Sequence, residues 1–134
     1  MTPQARWRVR ERANERGEYC QLSALLVLWF EFHVEHIRAR QHGGDDDESN
    51  LCFSCPPCNW KKGTNQSAYD PLTNSLVKLY NPRLDRWHEH FRMISGFIEG
   101  LTAEGRATVE LLDMNNAKAV ETREIFQEDE DGSF

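Results

Sequence analysis

The chain has 134 residues, four cysteines and a net charge of -6. This length suffices for one domain with its own apolar core, so folding does not require disulfide bonds. The sequence has no apolar run of about 18 residues and begins without the apolar stretch of a signal peptide, which predicts a soluble, cytoplasmic protein with no membrane partner. In that compartment cysteines stay reduced, which favours metal or redox chemistry over disulfides.

The negative charge is concentrated at the C-terminal end. The last 14 residues contain six acidic residues and one arginine, so they carry five of the six net charges. The rest of the chain is nearly neutral, with arginines crowded before residue 17. The charge balance therefore neither requires nor excludes a polyanionic partner.

The N-terminal half is predicted to contain two helices and one or two strands. Thr2 before Pro3 predicts a helix start, and Gly17 predicts its end after about Arg16. The stretch LSALLVLWFEFHVEHI, residues 22–37, is rich in β-branched and aromatic residues and alternates at its end, which predicts strands. RQHGGDDDESN has the composition of a loop. A short helix is expected in NWKKGTNQ, ending near Gly63.

The C-terminal half is predicted to be mostly helical with one hairpin. Residues 64–81 are expected to be irregular, with a turn at Asp70-Pro71. Asn81 before Pro82 predicts a helix over RLDRWHEHF, and RMISGFIEG predicts a strand or a small hairpin.

Two further helices and an acidic tail are expected to complete the chain. Thr102 can cap a helix over AEGRATVELLDM, and Asn115 or Asn116 can cap another that runs to about Gln127. The fold class is therefore α+β with a small antiparallel element. Residues 1–127 are expected to form one domain, and the acidic tail, residues 128–134, is expected to be disordered.

The interval from His33 to Asn59 contains the groups that phosphodiester hydrolysis requires. That reaction needs a water deprotonated near neutral pH, for which imidazole is suited, and a metal that absorbs charge on the phosphate. Ions such as Mg²⁺ bind carboxylate and amide oxygens. Imidazoles, carboxylates, amides and cations all occur within these 27 residues.

The order of these residues also resembles a known family. FHVEHIRARQHGG followed by DDESNLCFSCPPCNWKKG is similar to the HNH nuclease motif, the ββα-metal finger of homing, restriction and guide-directed endonucleases. A bacterial branch with HxEHI, HGG, NL and CxxCNxxKG is the most similar, and the likeness spans roughly residues 9–116. The resemblance implies an HNH endonuclease domain with a motif core at 17–63 and a C-terminal extension at 64–127.

The resemblance also implies roles for four residues. His36 would be the general base that activates water, and Glu35 and Asn59 would bind catalytic Mg²⁺ or another divalent metal. Asn50 would fix the loop that orients His36. Many relatives have Asp in place of Glu35. Neighbours on a regular strand point to opposite faces, so Glu35 and His36 converge only if the strand ends or twists there.

DNA is the implied substrate, with cleavage leaving 3′-hydroxyl and 5′-phosphate ends. Arg38, Lys61 and Lys62 flank the motif and are candidates for phosphate contacts, although a solvated helix face would explain the lysines equally well. Trp60 is expected to lie in the core. The alternative function is a module that binds nucleic acid or protein and no longer cuts. The run LLVLWF leaves self-association as a homo-oligomer open.

The cysteines raise a separate question about a structural metal. Zinc-bearing relatives have two C-x-x-C pairs, which supply the four ligands of tetrahedral zinc. Cys55 and Cys58 preserve the second pair, but Cys20 is alone because Gly17 stands where its partner would be.

Three outcomes are open for these cysteines. Zinc could bind to Cys20, Cys55 and Cys58 with Cys52, a histidine or water as the fourth ligand. The site could instead hold no metal, or Cys55 and Cys58 could form a redox or disulfide pair. The missing cysteine favours no zinc or weakly bound zinc.

Overall fold

A computed structural model describes residues 1–129 of the chain. The predicted disordered tail, residues 128–134, falls on the last residues of the final helix and on residues outside those described. The fold is α+β, as predicted from the sequence, and the described residues form three two-stranded antiparallel sheets. The helices are α1 Pro3–Arg12, α2 Pro56–Lys62, α3 Trp87–His90, α4 Ala103–Leu111 and α5 Ala117–Asp129. The strands are β1 His33–His36, β2 Leu51–Ser54, β3 Ser67–Tyr69, β4 Leu76–Lys78, β5 Phe91–Ile94 and β6 Phe97–Gly100.

Helix α1 begins where the sequence predicts. The Thr2 hydroxyl accepts a hydrogen bond from the Ala5 N–H at 3.1 Å, which satisfies one free donor of the first turn. The helix ends at Arg12 rather than at Arg16, because Asn14 and Glu15 have φ values of 54° and 59°. Its buried face packs against β2 and places α1 across the first hairpin.

The prediction of strands through residues 22–32 is wrong. Only β1 is a strand in this region, and it pairs antiparallel with β2 so that His36 lies opposite Leu51. Residues 22–32 are irregular, with a turn at residues 24–26, a bend at 29–30 and one isolated bridge between Ser23 and Arg16. Their buried apolar side chains recur every five residues rather than every second residue, so no strand face can form. These side chains are Leu22, Val27 and Phe32, whereas Leu25, Leu28 and Trp29 are exposed.

The segment from β1 to α2 forms the predicted ββα unit. All four residues of β2 are buried. Pro56 begins α2, where its missing N–H costs nothing, and the helix ends at Gly63 as predicted. The loop between the strands contains two short 3₁₀ turns, at Arg40–His42 and Glu48–Asn50.

The segment 64–81, predicted to be irregular, contains the hairpin β3–β4. The fully buried Asp70 closes it by accepting hydrogen bonds from the Leu72 N–H at 3.1 Å and the Thr73 hydroxyl at 2.8 Å. Arg106 donates two further bonds to the same carboxylate, at 2.9 and 2.8 Å. The hairpin therefore depends on a side chain from α4, which local sequence does not reveal.

The helix predicted over residues 83–91 is confined to α3. Asn81 caps only a turn there, accepting from the Arg83 N–H at 2.8 Å. The predicted hairpin at β5–β6 and the helix α4, capped by Thr102, are present. Helix α5 is capped by Asn116, whose side chain accepts from the Ala119 N–H at 2.9 Å.

The two halves of the chain share one core. The Trp87 indole N–H donates to the Tyr19 carbonyl at 2.9 Å, and Phe91 packs against the Trp87 ring with 5.0 Å between centroids. Among residues 1–129, no helix has both the length and the apolar character needed to span a membrane.

Candidate active site and thiol cluster

His36 lies at the end of β1, and its ring is held by Asp46. Its Nε2 lies 2.7 Å from Asp46 Oδ1. Asp46 also pairs with Arg40 at 2.8 and 2.9 Å and with the Met1 amino group at 3.0 Å. The hydrogen bond with His36, then that with the Met1 amino group and the charge of Arg40, hold the pKa of the Asp46 carboxyl well below its usual range.

Sequence reasoning missed Asp46 as a site residue. It stands in an acidic run, DDDE, whose members look equivalent in the sequence. Asp46 lies ten positions after His36. Only the conformation of the loop therefore distinguishes it from the other acidic residues of the run. An ionised carboxylate only accepts hydrogen bonds, so the His36 Nε2 must be the protonated ring nitrogen.

Asn50 clamps the two ends of the loop that follows His36. Its side-chain oxygen accepts from the Arg38 N–H at 2.9 Å. Its amide nitrogen donates to the Arg38 carbonyl at 3.0 Å and to the Asp45 carbonyl at 2.9 Å. A Cβ atom at Gly44 would lie 1.8 Å from the Arg38 carbonyl oxygen. The close approach that the clamp requires is therefore open only to glycine at this position.

Glu35 and Asn59 lie on the two elements that pack together, β1 and α2. Glu35 pairs with Cys52 across the hairpin. Lys62 lies three residues after Asn59, so both side chains project from one side of α2. The Lys62 ammonium donates to the Ile37 carbonyl at 2.8 Å and ties that side of the helix to β1. Burial lowers the pKa of Lys62, while Cys52 and Glu35 oppose that shift.

The side-chain oxygen atoms of Glu35 and Asn59 have no hydrogen-bond partner among the described residues. Both residues are half-buried. Their carboxylate and amide oxygens are the ligand types that Mg²⁺ prefers. The ring of His36 is turned to Asp46, and within residues 1–129 no hydrogen bond joins it to Glu35 or Asn59.

Two expectations about α2 are corrected by its packing. Lys62 is 6% exposed and its ammonium is bonded to a backbone carbonyl, so it does not offer a free cation to a phosphate. Trp60, expected in the core, is 75% exposed because α2 packs through the opposite side, which carries Cys58. Lys61 and Arg38 are exposed as expected, and the Arg38 Nε donates to the His42 carbonyl at 2.5 Å.

An open groove runs between α1 and β1 beside Glu35. Its volume is about 550 Å³, and its lining includes two arginines, an exposed tryptophan and a histidine. Cationic and aromatic groups together suit a nucleic-acid strand, since phosphates attract the former and bases stack on the latter. The residues concerned are Arg6, Trp7, Arg10 and His33.

A second cluster consists of three buried, free cysteines. The Sγ atoms of Cys20, Cys55 and Cys58 all lie within 4.8 Å of one another. The Sγ atoms of Cys20 and Cys55 are 3.4 Å apart. A tetrahedral zinc ion with Zn–S bonds of about 2.3 Å spaces its sulfurs by about 3.8 Å. The donor set therefore fits a zinc ion with three thiolate ligands.

The fourth protein ligand is missing within the described residues. Cys52, one of the alternatives considered, is not part of the cluster, and its Sγ lies 4.0 Å from the Tyr19 hydroxyl. Burial raises the pKa of Cys52 to about 12, so it remains a neutral thiol. No histidine joins the cluster either. A Cβ atom at Gly17 would lie 3.0 Å from the Cys20 Sγ, so the position of the absent cysteine faces the cluster.

Comparison with known proteins shows which family the β1–β2–α2 segment is similar to. The family model described as HNH endonuclease matches residues 18–65. Septu protein PtuB of Bacillus thuringiensis is 35% identical over 66 residues, a match that covers 49% of this chain and 23% of that protein. No solved structure matches significantly. The similarity to the HNH endonuclease family therefore lies in residues 18–65, which contain the β1–β2–α2 unit.

Proposed function

We propose that this chain is a divalent-metal-dependent endonuclease that hydrolyses phosphodiester bonds of DNA. The observation that carries the proposal is the ββα unit inside the family-matching segment. In that unit Glu35 and His36 end the first strand, and Asn59 lies on the helix that packs against it. A base and two oxygen ligands therefore lie on neighbouring elements.

His36 is the proposed general base. Its Nε2–H donates to Asp46, which leaves Nδ1 as the ring atom that accepts the proton from water. The Asp46 carboxylate also stabilises the imidazolium that forms. Asp46 thus acts through His36 and is a positioning residue.

Glu35 and Asn59 are the proposed ligands of the catalytic divalent ion. A bound Mg²⁺ or similar ion would neutralise charge on the phosphate and on the departing 3′ oxygen. The half-buried side chains of both residues lack competing partners among the described residues, which supports this assignment.

Asn50 is proposed to position the base. Its three hydrogen bonds join the residue two places after His36 to the residue immediately before Asp46. The clamp therefore sets the distance between the imidazole and the carboxylate that orients it.

DNA is proposed to approach along the groove beside Glu35 and the exposed face of α2. Arg6 and Trp7 line the groove, and Arg38 and Lys61 are exposed near the motif. Contacts of this kind are mainly with phosphates, so binding should weaken steeply with salt.

Plasmid nicking with Mg²⁺ or Mn²⁺ tests the proposal. The parent protein should convert supercoiled plasmid to nicked and linear forms, and EDTA should abolish the reaction. His36→Ala should lower the rate at least about 100-fold, the usual scale of a lost general base. His88→Ala is the matched control, because His88 is exposed on α3 and lies outside the proposed machinery. Equal rates for His36→Ala and the parent would refute the assignment.

The alternative function is a module that binds nucleic acid or protein and does not cut. The same purified protein, tested for both DNA binding and nicking, distinguishes the two functions. The hydrogen bond between His36 and Asp46 is compatible with either function. DNA binding by a folded parent protein, shown by a cooperative melting transition, without metal-dependent nicking would favour the binding module.

We further propose that residues 1–127 act as one domain, in keeping with the hydrogen bond between Trp87 and Tyr19.

A further inference from the structure

Helix α5 contributes a buried arginine to the region of the thiol cluster. Arg123 is 2% exposed. Its Nε donates to the Gly96 carbonyl at 2.6 Å, one Nη donates to the Met114 carbonyl at 2.5 Å, and the other approaches the Cys20 carbonyl at 3.4 Å. These partners are neutral oxygen atoms, so they satisfy donors without neutralising the charge.

A buried guanidinium without a counter-charge is costly. No carboxylate in residues 1–126 forms an ion pair with Arg123. Arg123 instead contacts the backbone of Cys20, whose sulfur lies within 4.8 Å of the sulfurs of Cys55 and Cys58. Thiolates in this cluster would be the negative groups next to the guanidinium.

One arginine would balance the net charge of a zinc site with three thiolate ligands. A zinc ion carries two positive charges and three thiolates carry three negative charges, which leaves one negative charge. A cavity of about 50 Å³ borders all three cysteines, more than one water molecule needs. A neutral water there can complete the tetrahedron without changing the count.

We propose that Cys20, Cys55 and Cys58 bind zinc as a three-thiolate site and that Arg123 supplies its counter-charge. The C-terminal helix is therefore part of the metal site, although none of its residues binds the ion. This site is separate from the proposed catalytic one, because Glu35, His36 and Asn59 are not among its ligands.

Zinc affinity, measured by competition with a chromophoric chelator, tests the proposal. The full chain is compared with Arg123→Met, which keeps most of the volume, and with Arg123→Lys, which keeps the charge. Arg123→Met should bind zinc about tenfold or more weakly, because the site loses the unit charge of a guanidinium that contacts the backbone of a ligand residue, Cys20. Arg123→Lys should recover most of that loss.

The carbonyl hydrogen bonds of Arg123 could also serve folding alone, so a second measurement is needed. Thermal melting with zinc and with chelator separates the two roles. A counter-charge predicts that Arg123→Met reduces the zinc-dependent gain in melting temperature more than it reduces the melting temperature of the metal-free protein. Cobalt(II) substitution should give a tetrahedral thiolate spectrum in the parent.

Three results would overturn the proposal. One is a parent protein that binds no zinc. Another is Arg123→Met with the affinity of the parent. The third is an equal loss of melting temperature with and without zinc in both arginine variants, which would mean that the guanidinium serves only its three carbonyl partners. None of these results depends on nuclease activity.

Discussion

Replacing Gly17 by cysteine should convert the thiol cluster into a four-thiolate zinc site. A Cβ atom at this position would lie 3.0 Å from the Cys20 Sγ, 3.4 Å from a ring atom of Phe32 and 3.6 Å from the Cys55 backbone nitrogen. The new side chain thus starts beside the cluster. Its closest contact is the end of a side chain rather than backbone, so a shift of a few tenths of an ångström in Cys20 makes room.

The expected gain follows from the energy of a complete site and the cost of that contact. Structural zinc in small four-ligand domains is bound with about 10 to 16 kcal/mol, or about 3 kcal/mol per ligand. The tight contact with Cys20 costs about 1 kcal/mol. A net gain of about 2 kcal/mol corresponds to zinc binding about 30-fold tighter than in the parent.

Chelator competition at constant pH measures this gain, with zinc stoichiometry checked by elemental analysis. Gly17→Ala is the matched control, because alanine adds the same Cβ atom without a ligand. It should bind zinc no more tightly than the parent. If Gly17→Cys and Gly17→Ala have the same zinc affinity, position 17 does not face the metal, and the geometry inferred for the cluster is wrong.

Four other substitutions test the loop clamp, the burial of two tryptophans and the buried ion pair of the β3–β4 hairpin. Asn50→Ala removes three hydrogen bonds and should lower the free energy of unfolding in urea by about 1 to 3 kcal/mol; an unchanged midpoint would contradict the clamp. Trp60→Ala should change that free energy by no more than about 0.5 kcal/mol, whereas Trp87→Ala, which empties a buried site and loses the bond to Tyr19, should cost about 3 to 5 kcal/mol; similar values for both would contradict their assigned burial. Arg106, more than any other group, holds the pKa of Asp70 well below its usual range. The stability that this pair contributes is therefore fully present above the pKa of an unfolded Asp, about 4. It is lost as the pH falls towards the lower pKa that Asp70 has in the folded protein. Asp70→Asn should therefore unfold with a shallower dependence on pH below about 4 in acid titrations followed by circular dichroism, and an unchanged slope would contradict this role for the pair.

Features set by neighbouring residues were predictable from the sequence. The caps at Thr2, Thr102 and Asn116 each act within three residues, and the structure contains all three. The same holds for the ββα unit, whose strand, loop and helix each have a local signature. Glu35 and His36 were accordingly expected on a strand and Asn59 on a helix, where the structure has them.

Features set by distant partners were not predictable. The apolar run before β1 has strand composition, but no second strand lies beside it, and its side chains instead fill separate gaps in the core. The hairpin β3–β4 depends on Arg106 in α4. Lys62 and Trp60 differ in exposure only because of the side from which α2 packs, and a seven-residue helix is too short for its periodicity to reveal that side.

The hydrogen bond between Arg123 and the Cys20 carbonyl joins residues 103 positions apart. During synthesis on the ribosome, the chain from Cys20 to Cys58 emerges well before α5. At typical elongation rates of about 5 to 20 residues per second, the three thiols of the cluster therefore exist for several seconds without the arginine. In that interval the nascent chain has exposed thiols that can be oxidised or bind other soft metals. The order of synthesis therefore leaves this cluster vulnerable until helix α5 has been made.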